Sequence, residues 1–320
     1  MNVAFMGSVS SSHCALDALI RGGVELTGVL GVDESESQRI SDFQALRPLA
    51  ESAGVPFQPF VRVTEPAVER FLEARAPDLL WVIGLSQLLP QRIIGIARHG
   101  GVGFHPTMLP RGRGRAPVAW TILLGERAAV NLFFLTDEPD AGDIIIQREV
   151  PVLPDDYSED LIRRTNGVLA DAILELAPAI KSGALPRVPQ DHSRATYYKK
   201  RTPDDGLIDW SRPTDAIYRL IRAAGRPYPG AFTFSEGRKV TIWRGEPVDV
   251  APEDTDCHNV DWRNMDPGVV CDQTDESRIV VKTGDGAFRI TEMTCEDGGT
   301  GIGPRAAAVG TRFTPSAKGA

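Results

Sequence analysis

Short apolar runs alternate with amphipathic stretches through the first half of the chain. Residues 2–7 (NVAFMG), 24–32 (VELTGVLGV), 78–85 (DLLWVIGL) and 101–104 (GVGF) are nearly continuous in apolar or small residues, as buried parallel strands are. Between them the period changes to that of a helix. Residues 12–20 carry a serine start and place Leu16, Leu19 and Ile20 on one face. Residues 43–54 predict a helix with a glycine stop, shortened or kinked by Pro48. Residues 65–76 set Pro66 in a first turn, with Val68, Phe71 and Leu72 on one face, and 90–100 predict a short helix. Strands over 130–136 and 143–152 follow, joined by the turn DEPDAG, and a long helix over 158–181 closes the series. This alternation predicts an α/β domain over 1–181 with a doubly wound, mostly parallel sheet, whose ligands sit beyond the carboxyl ends of the strands.

The pattern then changes. Residues 182–200 are polar and irregular and read as a linker. A second domain is expected over 201–312: one helix at 214–224, then short strands at close spacing, which suit a small, β-rich, OB-like barrel. Trp210, Tyr228 and Trp243 there offer either a stacking platform or ordinary core. Residues 313–320 read as a disorder-prone tail.

Composition narrows the function classes. With 42% hydrophobic and 24% charged residues among 320, the chain is of globular type. No apolar run approaches the roughly 18–20 residues that span a bilayer, so no membrane partner is expected. The first residues, MNVAFMGSVSSSHC, lack a basic start and a long apolar stretch; no signal peptide is read, and a cytoplasmic location is expected. In that setting Cys14, Cys257, Cys271 and Cys295 are expected to be reduced. Cys257-His258 with Cys271 and Cys295 could be drawn as a zinc site, but no C-x-x-C pair is present and no metal is expected. The net charge of −8 argues against a broad nucleic-acid-binding face. The oligomeric state is left open, a homo-oligomer included.

Candidate chemistry gathers in GVGFHPTMLPRGRGRAPVAW, residues 101–120. His105 ends a predicted strand, where an open α/β sheet keeps its chemistry, and its ordinary pKa of about 6.5 suits a proton acceptor at neutral pH. The acid-rich turn TDEPDAGD, residues 136–143, joins two strands of the same sheet, so its carboxylates are expected along the same edge. A carboxylate bonded to the ring would fix its tautomer. Arg111, Arg113 and Arg115 follow the histidine, separated by glycines. Neither G-x-G-x-x-G nor a Walker loop is present, which disfavours dinucleotide and ATP sites.

HPTMLP, RGRGRAPVAW and DEPDAGDI, in that order, resemble the signature of the 10-formyltetrahydrofolate-dependent formyltransferases. The likeness resumes in YYKKRTPDDGLIDWSRPTDAIYRLIRAAGRPYPGAFTF, residues 197–234, and so covers nearly the whole chain. RGRAP and RTPDD are shared with the type that formylates UDP-4-amino-4-deoxy-L-arabinose. The resemblance implies a Rossmann-like formyltransferase domain, a formyl-folate cosubstrate and N-formylation of an amine. It makes His105 and Asp140 the catalytic pair. It places the folate along residues 81–89, at Gly84, Leu85, Ser86 and Leu88, and along Thr136, Asp137, Glu138 and Asp140, held largely by main-chain groups; Trp81 and Leu88 serve equally well as core.

The family's third catalytic position is an asparagine two residues before the histidine, and here it is Gly103. Formyl transfer is acyl transfer and needs a donor for the tetrahedral oxyanion; losing one such donor costs on the order of 10²–10³ in rate. Three readings follow: a substitute donor, from a backbone N–H or from Asn131; a slower or different reaction; or a folate-binding or regulatory protein without catalysis. The retained His105, Asp140 and arginines favour chemistry. Arg111, Arg113 and Arg115 are expected to face the acceptor, since guanidinium suits phosphates and carboxylates. From Arg201 onward 15 Lys and Arg stand against 19 Asp and Glu, which disfavours tRNA. The expected acceptor is a small, anionic amine, a nucleotide-linked amino sugar; methionyl-tRNA is the alternative.

Overall fold

The computed structural model describes residues 1–248, 264–275, 278–296 and 309–316, and the chain divides into two compact units. The first comprises Met1–Thr121, Glu126–Leu153 and Asp160–Lys200; the second comprises Ile122–Gly125, Pro154–Glu159 and Arg201–Ala320. In chain order the elements begin β1 (Val3–Gly7), α1 (Ser10–Arg21), β2 (Leu26–Val32), α2 (Arg47–Ser52), β3 (Phe57–Phe60), α3 (Pro66–Arg75), β4 (Leu79–Ile83) and α4 (Gln91–Ile94). They continue with β5 (Gly101–His105), β6 (Arg113–Gly114), α5 (Pro117–Leu124), β7 (Ala128–Phe134), β8 (Ile144–Val150), α6 (Ser158–Ser182) and β9 (Tyr197–Tyr198).

Seven strands form the main sheet in the order β3-β2-β1-β4-β5-β7-β8. The first five run parallel, while β7 and β8 are antiparallel to their neighbours. The parallel part is what the βα alternation predicts, because each helix carries the chain back to start the next strand on the same side. β7 and β8 lack an intervening helix and form a hairpin. Pro48 shortens α2 to six residues by standing near its start, where a missing N–H costs nothing. β3 escapes the sequence reading: FQPF is short, contains a proline and lies on the sheet edge, where a lost donor is tolerated.

The order reverses between β1 and β4, and there the sheet is closed. Ser12 Oγ is buried and donates to the Ile83 carbonyl at 2.6 Å, while accepting from the N–H groups of Ser8 at 2.9 Å and Val9 at 3.1 Å. A Cβ on Gly84 would stand 2.7 Å from that oxygen. This tight seam ties the end of β1 and the start of α1 to the end of β4. Ser12→Ala removes three hydrogen bonds at once and is expected to lower stability by about 1–3 kcal/mol, read from denaturant unfolding.

The first unit runs on through the stretch expected to be a linker. Val188 bridges to Ile144, Gln190 is buried, and β9 pairs in parallel with β6, Arg113 opposite Tyr197. Residues 182–200 read as linker because they lack period and apolar content; they are held by short main-chain pairings and by the Gln190 side chain instead.

In the second unit α7 (Thr214–Ala224) packs on a curled antiparallel half-barrel of β10 (Ala231–Ser235), β11 (Arg238–Val248), β12 (Val270–Asp275), β13 (Arg278–Lys282) and β14 (Ala287–Cys295), ordered β10-β11-β14-β13-β12. Ile217, Ile221 and Ala224 of the helix share a core with Trp210, Val240, Ile242, Phe288 and Ile290. Trp210 is therefore core, not platform. The tail expectation fails at its first residues: Phe313 is 2% exposed and stacks on Trp210, and Thr314 exchanges two main-chain bonds with Phe234. Cys257 and His258 lie outside the described residues, among which no cluster fit for a metal occurs. No described helix is long and apolar enough to cross a membrane.

Candidate active site

His105 is the last residue of β5, and the ring is nearly buried. Its Nε2 stands 2.7 Å from the Gly112 carbonyl. A carbonyl only accepts, so Nε2 carries a hydrogen, and in the neutral ring the lone pair is on Nδ1. Nδ1 faces Asp140 Oδ2 at 3.5 Å. That oxygen is anchored by the Gly114 N–H at 2.8 Å. The loop after β5 thus turns back twice on the pair, once to orient the ring and once to hold its carboxylate.

Asp140 reaches this place by an unexpected route. In the β5–β7 register His105 lies opposite Asn131 and Val102 opposite Phe134, so the end of β7 is beside the start of β5, not at the histidine edge. At about 3.3 Å per residue the β7–β8 turn has to come back by roughly 10 Å. It does so beside a strand with two missing side chains: a Cβ on Gly101 or on Gly103 would stand 2.7 Å from a methyl of Leu135. Gly142 makes the return possible, since any Cβ there would collide with the Phe134 carbonyl at 1.8 Å. Asp140 itself takes a left-handed φ of 57°, uncommon for a residue with a side chain.

Gly103 therefore has a steric reason, with Leu135 and Phe133 covering the face where a side chain would lie. Asn131 is no substitute donor. Its Nδ2 donates to the carbonyls of His105 (2.8 Å) and Thr107, and its Oδ1 accepts from Gln147 Nε2 at 2.6 Å. Both of its amide hydrogens are spent on shaping the loop after β5.

The three arginines part company. Arg113 is fully buried and donates to Glu138, Tyr197 Oη (both 3.0 Å) and Gln190 Oε1 (2.8 Å), so it does not face an acceptor. Gly112 and Gly114 have φ of 72° and 104°, which breaks the simple alternation of R-G-R-G-R and turns the middle side chain inward. Arg111 is exposed, 4.0 Å from Glu126, and Arg115 is exposed with no side-chain partner among the described residues. The Glu138 carboxyl is held below its ordinary range, first by the Tyr197 hydroxyl and then by Arg113.

The expected folate positions flank His105. β4 is parallel to β5 with Val82 opposite Gly103, so Gly84–Leu89 leave the sheet level with the histidine. Trp81 is fully buried in the core and cannot touch a ligand, whereas Leu88 is 77% exposed. Gly84 has a φ of 63° and turns the chain out of β4; Leu85 packs on the core beneath, and Ser86 is exposed. Among the described residues the main-chain N–H groups of Leu85–Leu89 and of Thr136–Glu138 have no protein acceptor. The Thr136 hydroxyl is turned onto the Glu138 carbonyl, 2.9 Å away. Two segments of unspent main-chain donors on either side of a basic ring fit a flat, amide-edged ligand such as a pterin. Gln190, Gln147 and the carbonyl of Gly112 were not legible as parts of this site; the two glutamines act through bonds to residues distant in sequence, and Gly112 through a main-chain atom that no residue type marks.

Family models agree over both units. The model described as "Formyl transferase" matches residues 1–175, and "Formyl transferase, C-terminal domain" matches residues 200–300. A methionyl-tRNA formyltransferase of Geotalea uraniireducens (strain Rf4) is 32% identical over 249 residues, 76% of this chain and 79% of that protein. Among solved structures, an N-formyltransferase from Helicobacter canadensis in complex with folinic acid and dTDP-3-aminofucose has a TM-score of 0.63 at 14% identity, covering 91% of this chain and 99% of that one. HypX from Aquifex aeolicus in complex with tetrahydrofolic acid has a TM-score of 0.63 at 21% identity over 91% of this chain, which spans 43% of HypX. The chain belongs to the formyltransferase family and is a formyl-tetrahydrofolate-dependent transferase.

Proposed function

We propose that the protein moves the formyl group of 10-formyltetrahydrofolate to the amine of a small anionic acceptor, a nucleotide-linked amino sugar. The observation that carries the chemistry is the His105–Asp140 pair. With Nε2 committed to Gly112, Nδ1 takes the proton of the attacking amine, and the carboxylate 3.5 Å away favours the imidazolium that results. The same nitrogen returns the proton to the departing folate nitrogen. Gly84, Leu85, Ser86, Leu88, Thr136, Asp137, Glu138 and Asp140 would hold the folate, which supplies the formyl carbon. Arg111 and Arg115, exposed on the loop that bears the base, suit a diphosphate.

Acceptor size is argued from charge. A domain with 15 cationic against 19 anionic side chains repels a polyanion, whereas two arginines are enough for a nucleotide sugar. The H. canadensis enzyme, with its bound dTDP-3-aminofucose, has the same fold. Methionyl-tRNA is the second reading, favoured by the G. uraniireducens relative. The test is incubation with 10-formyltetrahydrofolate and a panel of nucleotide amino sugars, amino acids and charged initiator tRNA, with products followed by mass spectrometry. A formylated nucleotide sugar is expected. Formylation of tRNA alone would overturn the charge argument, and no product on any amine would favour a binding protein.

A further inference from the structure

The Arg113 guanidinium is the most deeply buried charge of the first unit, and the reaction as derived above makes no use of it. Its Nη2 donates to Gln190 Oε1 at 2.8 Å. That bond decides which way the Gln190 amide points, because a guanidinium cannot face an NH₂ group. With Oε1 on Arg113, Nε2 is turned to the other side, where it donates to the Asp140 carbonyl at 2.9 Å and the Gly142 carbonyl at 2.8 Å. Both hydrogens of the amide therefore close on the two ends of the left-handed Asp140 turn. The Gly114 N–H holds the carboxylate from the opposite side.

We propose that Gln190, with its amide oriented by the buried Arg113, is a positioning residue that holds Asp140 against His105. This rests on the reading that His105 and Asp140 carry the transfer. A residue with φ of 57° at the end of a long return turn has no secondary structure to keep it in place, and its carboxylate must stay within a few ångströms of Nδ1. Gln190 supplies the missing constraint from a segment fifty residues downstream. Glu138, also bound to Arg113, ties the start of the same turn to the same guanidinium.

Gln190→Glu is the decisive substitution. The carboxylate still accepts from Arg113, so the buried cation keeps a partner and the unit folds, but both donors to the Asp140 turn are lost. Two readouts apply. In the free protein, hydrogen exchange of the Gly114 amide, which Asp140 protects, is expected to quicken about tenfold or more while the melting temperature stays within a few degrees. In turnover with 10-formyltetrahydrofolate and dTDP-3-aminofucose, or the amine selected by the panel above, kcat is expected to fall about 10- to 100-fold with KM for the acceptor amine nearly unchanged. Asp140→Asn is slow on its own, and adding Gln190→Glu to it costs nothing further, since the two act as one unit. Unchanged Gly114 exchange, full turnover of Gln190→Glu beside a slow Asp140→Asn, or additive losses would each overturn the proposal. Full turnover of Asp140→Asn would instead sink the catalytic reading on which it rests.

Discussion

His105→Gln is expected to lower kcat by about 10²–10⁴ while 10-formyltetrahydrofolate binds within a few fold of the wild type. Glutamine is chosen because its Nε2 can keep the bond to the Gly112 carbonyl, so the loop after β5 retains its shape. What it cannot do is accept a proton and carry it as a cation beside Asp140. Alanine would confuse the outcome, since it would leave the Gly112 carbonyl without its donor in a buried place. Asp140→Asn tests the other half of the pair: its Oδ1 can still accept from the Gly114 N–H, but it offers no charge to the imidazolium. A smaller loss of roughly 10²-fold is expected from it. The measurement is a single-turnover rate beside an equilibrium titration of the folate; a His105→Gln protein at full rate would end the assignment of the base.

The second large effect concerns Gly103. Putting back the asparagine that the family resemblance calls for is expected to destabilise this protein by about 1–3 kcal/mol, because its Cβ would stand 2.7 Å from Leu135 Cδ2 and 3.0 Å from Phe133 Cζ. Leu135→Ala alone leaves a gap over the two glycines and costs stability as well. Together the two changes exchange one side chain for another in the same space, so their combined loss should be smaller than the sum, read from denaturant midpoints. Turnover of the double variant then bears on the oxyanion. A rise on the order of 10² would mean that the natural site works without an amide donor there; an unchanged rate would mean that another group, Asn131 excluded, already supplies it.

Much of this architecture is legible in the chain because its strands are continuous apolar runs and its helices keep one face apolar. α7 falls on the expected residues, and α3 within one residue at each end, since proline and glycine mark their limits. The pair at the centre was legible only as two residue types in a familiar order. How Asp140 comes to His105 was not, because the pattern of residues 130–136 gives a strand but not its register against β5. Arg113 misleads for a related reason. Three arginines at equal spacing look alike in sequence, and only the left-handed glycines between them decide that the middle one turns inward. Residues 182–200 had no period to read at all, since what fixes them is Gln190 and a two-residue strand.

That last stretch also sets where the protein can be cut. α6 ends at Ser182, and a cleavage there would look like a clean separation of two bodies. It would instead carry away β9, the amide that faces Asp140 and three side-chain partners of Arg113, leaving a buried cation with only the partly exposed Glu138 carboxylate. A fragment that keeps these bonds has to run to Lys200, where the first unit ends.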